Sequence, residues 1–251
     1  MRQTYWALVR RELGAYFFSW TGYVIIAAVL FLLGYSFVNL LVVLNAEPTD
    51  LPVTEVFYGT YYFWLILLVA TPIITMRAFA LEKSSGTFET LMTTPVGDTQ
   101  VVLAKFTGAM TFYTIMWLPL LGCLWIVRHY SHDPTLLDLG TVASTYLGIL
   151  LLGALYLAVG CFASALTRSQ IIAAMTSFAV GISLFLLSFV SLAFAKETGW
   201  KATFFAQVGM IEQMQDFARG VVDTRPVVYY FSLAVLFLFL TVKVVESRRW
   251  K

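Results

Sequence analysis

Apolar residues in this chain run in long blocks with no alternation. Six stretches carry no ionised side chain: 34 residues between Glu12 and Glu47, 21 between Glu55 and Arg77, 22 between Lys105 and Arg128, 29 between Asp138 and Arg168, 27 between Arg168 and Lys196, and 17 between Arg225 and Lys243. An ionised group at mid-bilayer costs about 2.5–3.5 kcal/mol even on a lenient scale, so charge-free windows of this length read as membrane-spanning helices. They predict helices near 22–44, 57–76, 104–127, 141–166, 170–195 and 227–245. The last is just long enough, and Lys243 can snorkel to complete it. The absence of period-two patterning argues against a β-barrel.

Composition agrees. The 251 residues are 60% hydrophobic and 12% charged, with a mean hydropathy of +0.82, which leaves too little polar surface to cover a water-soluble domain. A formal charge of +2, from 16 cations and 14 acids, excludes a basic nucleic-acid binder. The distribution of charge is more informative than its sum. Eleven cations fall in the N-terminal tail, the 77–105 loop, at Arg168 and in the C-terminal tail, against five in the other loops (Arg128, Lys196, Lys201, Arg219, Arg225). By the positive-inside rule the first set, and with it both termini, faces the cytoplasm. The first apolar stretch far exceeds a signal-peptide h-region and no A-x-A site follows, so it reads as a retained helix. Cys123 and Cys161 fall inside predicted spans and read as small packing residues.

Three segments outside the spans carry their own pattern. Residues 4–18 set Trp6, Val9, Leu13 and Phe17 on one stripe, with Arg10, Arg11 and Glu12 between them. This predicts an amphipathic helix on the membrane surface, or a juxtamembrane extension of the first span. In the longest loop of the cation-rich side, Thr87 can cap a short helix over Phe88–Met92, with Glu89 in its first turn and Pro95 as its stop. Phe88, Leu91 and Met92 then share a face that either docks into a partner's groove or packs back on the chain's own helices. Residues 203–220 place Phe205, Val208, Ile211, Met214 and Phe217 on an apolar stripe opposed by Gln207, Glu212, Gln213, Gln215 and Asp216. Gly220 is placed to stop that helix.

The stretch Arg77-Ala78-Phe79-Ala80-Leu81-Glu82-Lys83-Ser84-Ser85-Gly86-Thr87-Phe88-Glu89-Thr90-Leu91-Met92-Thr93-Thr94-Pro95-Val96, followed by Val101-Val102-Leu103-Ala104-Lys105, resembles the E-(K/R)-x-x-G-T-x-E-x-L … P-V … K segment of ABC-2-type ABC transporter permeases. Phe217 to Arg225, Val228 to Phe231, and Val245 to Trp250 resemble the branch that includes the gliding-motility-associated permease. The resemblance implies one transmembrane domain over 1–251, an interfacial helix over 4–18, and a coupling helix over 82–95 that engages a cytoplasmic ATPase. In that helix Glu82, Gly86, Thr87, Glu89 and Pro95 match the motif. It also implies an outer helix over 203–220 that re-enters the outer leaflet; amphipathy alone would equally allow a surface helix. Relatives often carry His where this chain has Gln213. The setting it implies is the bacterial cytoplasmic membrane.

No Walker A motif, no G-x-S-x-G, no H-E-x-x-H and no intramembrane acid pair occurs in the sequence. The expectation is therefore a chain that is not an enzyme by itself. ATP and magnesium would be bound by a partner ATPase, and a second permease, identical or related, would complete the membrane unit. That second permease would in one case carry a large extracytoplasmic domain. His129 and His132, with Asp133, could approach a metal, but lack the further ligands a site needs. The spacings Ala154-x-x-x-Ala158, Gly160-x-x-x-Ser164 and Ser177-x-x-x-Gly181 allow close helix approach within or between subunits. Pro72 and Pro119 lie inside spans as kinks, moving or static.

Overall fold

The computed structural model describes residues 2–46, 52–88, 97–130, 138–194 and 207–247, and among them every regular element is a helix. The elements are α1 (Arg2–Phe17), α2 (Trp20–Ala46), α3 (Val53–Gly59), α4 (Tyr61–Thr75), α5 (Ala80–Ser85), α6 (Asp98–Tyr130), α7 (Leu139–Leu166), α8 (Gln170–Phe194), α9 (Met210–Ala218) and α10 (Thr224–Ser247). Among the described residues six helical stretches are long and apolar enough to span a bilayer: Trp20–Asn45, Tyr61–Ser85, Asp98–Tyr130, Leu139–Leu166, Gln170–Val190 and Thr224–Ser247. Each overlaps one of the charge-free windows, and the chain is an all-α polytopic membrane protein.

Two boundaries differ from the sequence reading. The second span begins at Tyr61, because Thr60 is extended (φ −81°, ψ 143°) and the residues before it form the separate helix α3. A single Glu55 between apolar neighbours gives no periodic signal over so short a piece. α6 begins at Asp98, earlier than expected, which puts Lys105 about two turns inside the helix. Helices α4 and α6 run through Pro72 and Pro119.

α7 is the centre of the bundle and packs against α10, α8, α4, α9 and α6. Of the spanning windows, 72% of α7 and 67% of the Tyr61–Ser85 stretch is buried, against 22% of α8 and of α10, so the outer helices leave most of their surface outside the bundle. The main core joins Phe63 and Leu67 of α4, Phe112, Tyr113 and Trp117 of α6, and Ile149, Leu152 and Tyr156 of α7. A smaller cluster at the α5 end unites Phe79, Phe88, Val101, Val102, Cys161 and Val245.

Two of the small-residue spacings, at Gly160–Ser164 and at Gly181, make packing contacts inside the subunit. A β-carbon at Gly160 would overlap Thr75 Oγ1. One turn further, Ser164 Oγ accepts from the amides of Phe79 and Ala80 (3.1 Å each) and donates to the Met76 carbonyl (3.1 Å). The chain that leaves α4 is thus hydrogen-bonded onto α7 as it turns into α5. Gly181 lies against Tyr156, whose hydroxyl donates to its carbonyl at 3.2 Å.

Candidate functional site

The cation-rich end of the bundle gathers residues from all parts of the expected coupling apparatus. Lys105 of α6 is 3% exposed, and its Nζ lies 2.8 Å from Glu82 Oε1 of α5 and 3.1 Å from Glu12 Oε1 of α1. Arg11 reaches the same two oxygens, at 2.9 Å each. Two cations and two carboxylates therefore alternate around a closed set of contacts, with the Lys105 ammonium also 5.4 Å from the centroid of the Phe79 ring. Burial alone would lower the Arg11 pKa, but the hydrogen bonds and charges of Glu12 and Glu82 outweigh it and the net shift is upward.

Close approach of α1 to α6 makes this possible. Gly108 faces Glu12, where a β-carbon would lie 2.9 Å from Glu12 Cβ, and Tyr5 and Thr107 share a hydroxyl hydrogen bond of 2.7 Å. As a result α1 packs through Val9 and Glu12, both buried, with Leu13 partly buried and Arg10 exposed. The expected stripe is buried unevenly: Val9 is buried and Trp6 is 59% exposed, while Glu12, read as polar flank, is also buried, beside Lys105. The Glu12–Lys105 contact joins residues distant in sequence, so α1 periodicity alone could not reveal it.

The segment that follows α5 is fixed to the bundle through Phe88. Lys83 is buried, and its Nζ donates to the Ala165 carbonyl in the last turn of α7, where the helix dipole favours a cation. The ammonium also sits 5.2 Å over the Phe88 ring. Gly86 takes φ +75°, which ends α5 in a conformation glycine adopts without a side-chain penalty. Thr87 Oγ1 turns back to Ser85 Oγ (2.9 Å) and the Glu82 carbonyl (3.5 Å). Phe88 packs on the chain's own helices, 8% exposed within the smaller cluster. Ser84, Ser85, Gly86 and Thr87 are exposed. Glu89, Leu91, Met92 and Pro95 lie outside the described residues.

At the opposite end, α3 and α9 form a cap over α7. Glu55 Oε1 accepts from Arg219 at 2.6 Å, and Thr54 Oγ1 donates to the Ala218 carbonyl at 2.6 Å. Hydrogen bonding to Glu55 raises the Arg219 pKa. α9 ends in a Schellman arrangement, with Val221 N donating to Asp216 O (2.9 Å) and Gly220 N to Phe217 O (3.2 Å), and with Gly220 at φ +87°. Ser144 of α7 donates to the Phe217 carbonyl at 2.7 Å.

The buried face of α9 is rotated from the expected one. Met210, Gln213, Met214, Phe217 and Ala218 are buried, whereas Val208 and Ile211 are only partly so. Met214 and Phe217, common to the expected and the observed face, pack against Gly148, whose missing side chain admits them. Gln213, expected on the polar face, turns inward with its Nε2 donating to the Gln207 carbonyl at 2.7 Å. Phe205 lies outside the described residues. So do His132 and Asp133, while His129 stacks on Trp125 with ring centroids 5.3 Å apart. Among the described residues no group of three metal-ligating side chains occurs.

A family model described as ABC-2 family transporter protein matches residues 45–242. No curated protein matches the chain.

Proposed function

This chain belongs to the ABC-2 family of transporter proteins, and on that premise we propose that it is the permease subunit of an ATP-driven exporter whose ATPase is a separate cytoplasmic chain. One observation carries the reading. The exposed segment Ser84–Thr87 is fastened to the membrane bundle by Glu82 to Lys105, by Lys83 to Ala165 and by Phe88 in the smaller cluster. A force applied at this segment is therefore delivered to α6 and α7 without being lost in a slack connector. This suits a loop that engages an ATPase and biases the membrane helices between two states.

In this reading the α5 end faces the cytoplasm of a bacterium, residues 82–95 are the coupling segment, and α1 lies beside the ATPase. ATP and magnesium belong to that partner, and a second permease completes the pathway. A second reading, a mechanical subunit that conveys ATPase motion to an extracytoplasmic partner with no solute moved, is favoured by the likeness of Phe217 to Arg225 and Val245 to Trp250 to the gliding-associated branch.

The burial of Phe88 decides how to test coupling. Phe88→Asp would disturb the chain's own packing, so the informative variants are Ser85→Arg, Thr87→Arg and Glu89→Arg. Co-expression with the candidate ATP-binding subunit should give a complex that purifies together and hydrolyses ATP. The variants should shed the ATPase while melting like wild type. Retention of a fully active ATPase by all three would refute the assignment.

A further inference from the structure

We propose that the cleft between α1, α2 and α4 at the α5 end binds the headgroup of an anionic phospholipid of the phosphatidylglycerol type, with its phosphate on Arg77. This does not depend on the ATPase assignment. The cleft has a volume of about 360 Å³ and lies beside the ion-pair network.

Charge balance is the first argument. Arg11, Arg77 and Lys105 line the cleft against Glu12 and Glu82. Arg11, Lys105 and the two carboxylates satisfy one another, which leaves Arg77 as the cation of the cleft with no counter-charge among the described residues. Its guanidinium donates through one terminal nitrogen to Thr21 Oγ1, a neutral acceptor, while its Nε is buried with no hydrogen-bond partner among the described residues. A guanidinium stays protonated at any physiological pH and presents a fork of donors matched to phosphate oxygens. Left as it is, a partly buried cation without a counter-charge is unfavourable.

The second argument is the helix end. Ser19 caps α2 by accepting from the Gly22 amide at 3.1 Å, and Thr21 and Gly22 line the cleft. The positive end of the α2 dipole therefore meets the same space as Arg77. Glu82 lines the cleft too, and its Oε2, buried and without a partner among the described residues, is an acceptor suited to the hydroxyls of a glycerol headgroup.

The third argument selects lipid over a soluble phosphate. The other side of the cleft is apolar, lined by Ala15, Ile25 and Ile73. It lies at the first turn of α2 and near the end of α4, both within spanning stretches. Phe18 and Trp20, 89% and 88% exposed, stand beside it in sequence as aromatic anchors at headgroup level.

The test uses the complete protein in detergent, with melting temperature and native mass spectrometry as readouts. Phosphatidylglycerol, phosphatidylethanolamine and inorganic phosphate are added separately. Wild type should be stabilised by phosphatidylglycerol alone, and Arg77→Gln should weaken that binding by about tenfold or more. Thr21→Val, which removes the hydroxyl that positions Arg77, should weaken it less, and serves if Arg77→Gln fails to fold. Arg225→Gln, exposed at the far end, should bind as wild type. The proposal is overturned if Arg77→Gln, or Thr21→Val in its place, binds phosphatidylglycerol as well as wild type. It is equally overturned if phosphatidylethanolamine or inorganic phosphate stabilises wild type to the same extent.

Discussion

Glu82 and Lys105, the first and last charged positions of the loop motif, are a salt bridge of 2.8 Å. The loop between them is therefore closed at its base, and Glu12 from α1 shares the same ammonium. Removing Lys105 leaves two carboxylates near each other with only Arg11 to compensate. Lys105→Met should lower stability by about 3–5 kcal/mol, the usual cost of stranding a buried partner. Adding Glu82→Gln restores the charge balance, so Lys105→Met/Glu82→Gln should melt higher than Lys105→Met alone. Thermal unfolding of wild type, both single variants and the double variant in detergent measures the coupling.

The contact of Gly160 with Thr75 sets the spacing between α4 and α7. Gly160→Ala forces a methyl into the Thr75 hydroxyl and should cost about 1–3 kcal/mol through overpacking. Thr75→Ala removes Oγ1 and Cγ2 but leaves the Thr75 β-carbon 2.7 Å from the added methyl. The pair Gly160→Ala/Thr75→Ala should therefore recover part of the loss, and no recovery at all would show that the helices do not meet at this point.

At the far end, Thr54→Val deletes the hydroxyl that satisfies the Ala218 carbonyl. With that acceptor buried, the expected loss is about 1–3 kcal/mol, and Thr54→Ser should retain most of the stability. Melting curves of both variants decide between a hydrogen bond and mere shape.

Gly86 and Gly220 both have positive φ, but different surroundings. A β-carbon added at Gly86 would meet nothing within 4 Å among the described residues, whereas at Gly220 such an atom would be 3.0 Å from Thr141 Oγ1. Alanine at Gly86 should cost only the left-handed backbone penalty of about 1–2 kcal/mol. Gly220→Ala should cost more, by the contact with Thr141. A larger loss of melting temperature at Gly86 than at Gly220 would contradict the two geometries.

The spans are legible in the sequence because excluding charge from lipid is a first-order cost that every window must obey. What stays hidden there is where polar groups go inside. Glu12 and Lys105 look like flanking charges until α1 is laid on α6, and Gln213 looks like surface until α9 is packed on α7. Each placement depends on the facing helix, and a one-dimensional stripe holds no information about that helix. α3 escapes a sequence reading because seven residues are too few for a period to emerge. The coupling motif is legible as a motif, yet its division into an anchored base and an exposed segment depends on Ser164, Ala165 and Cys161 of α7, far along the chain.

α7 holds the cap at one end through Ser144 and the loop base at the other through Ala165. At about 1.5 Å per residue these grips stand roughly 32 Å apart on one unbroken helix. If the proposed coupling tilts this helix about its crowded middle, it acts as a lever arm: both ends move oppositely, and a few degrees at the loop base become a lateral stroke beneath the cap, with no need for any local unfolding between them.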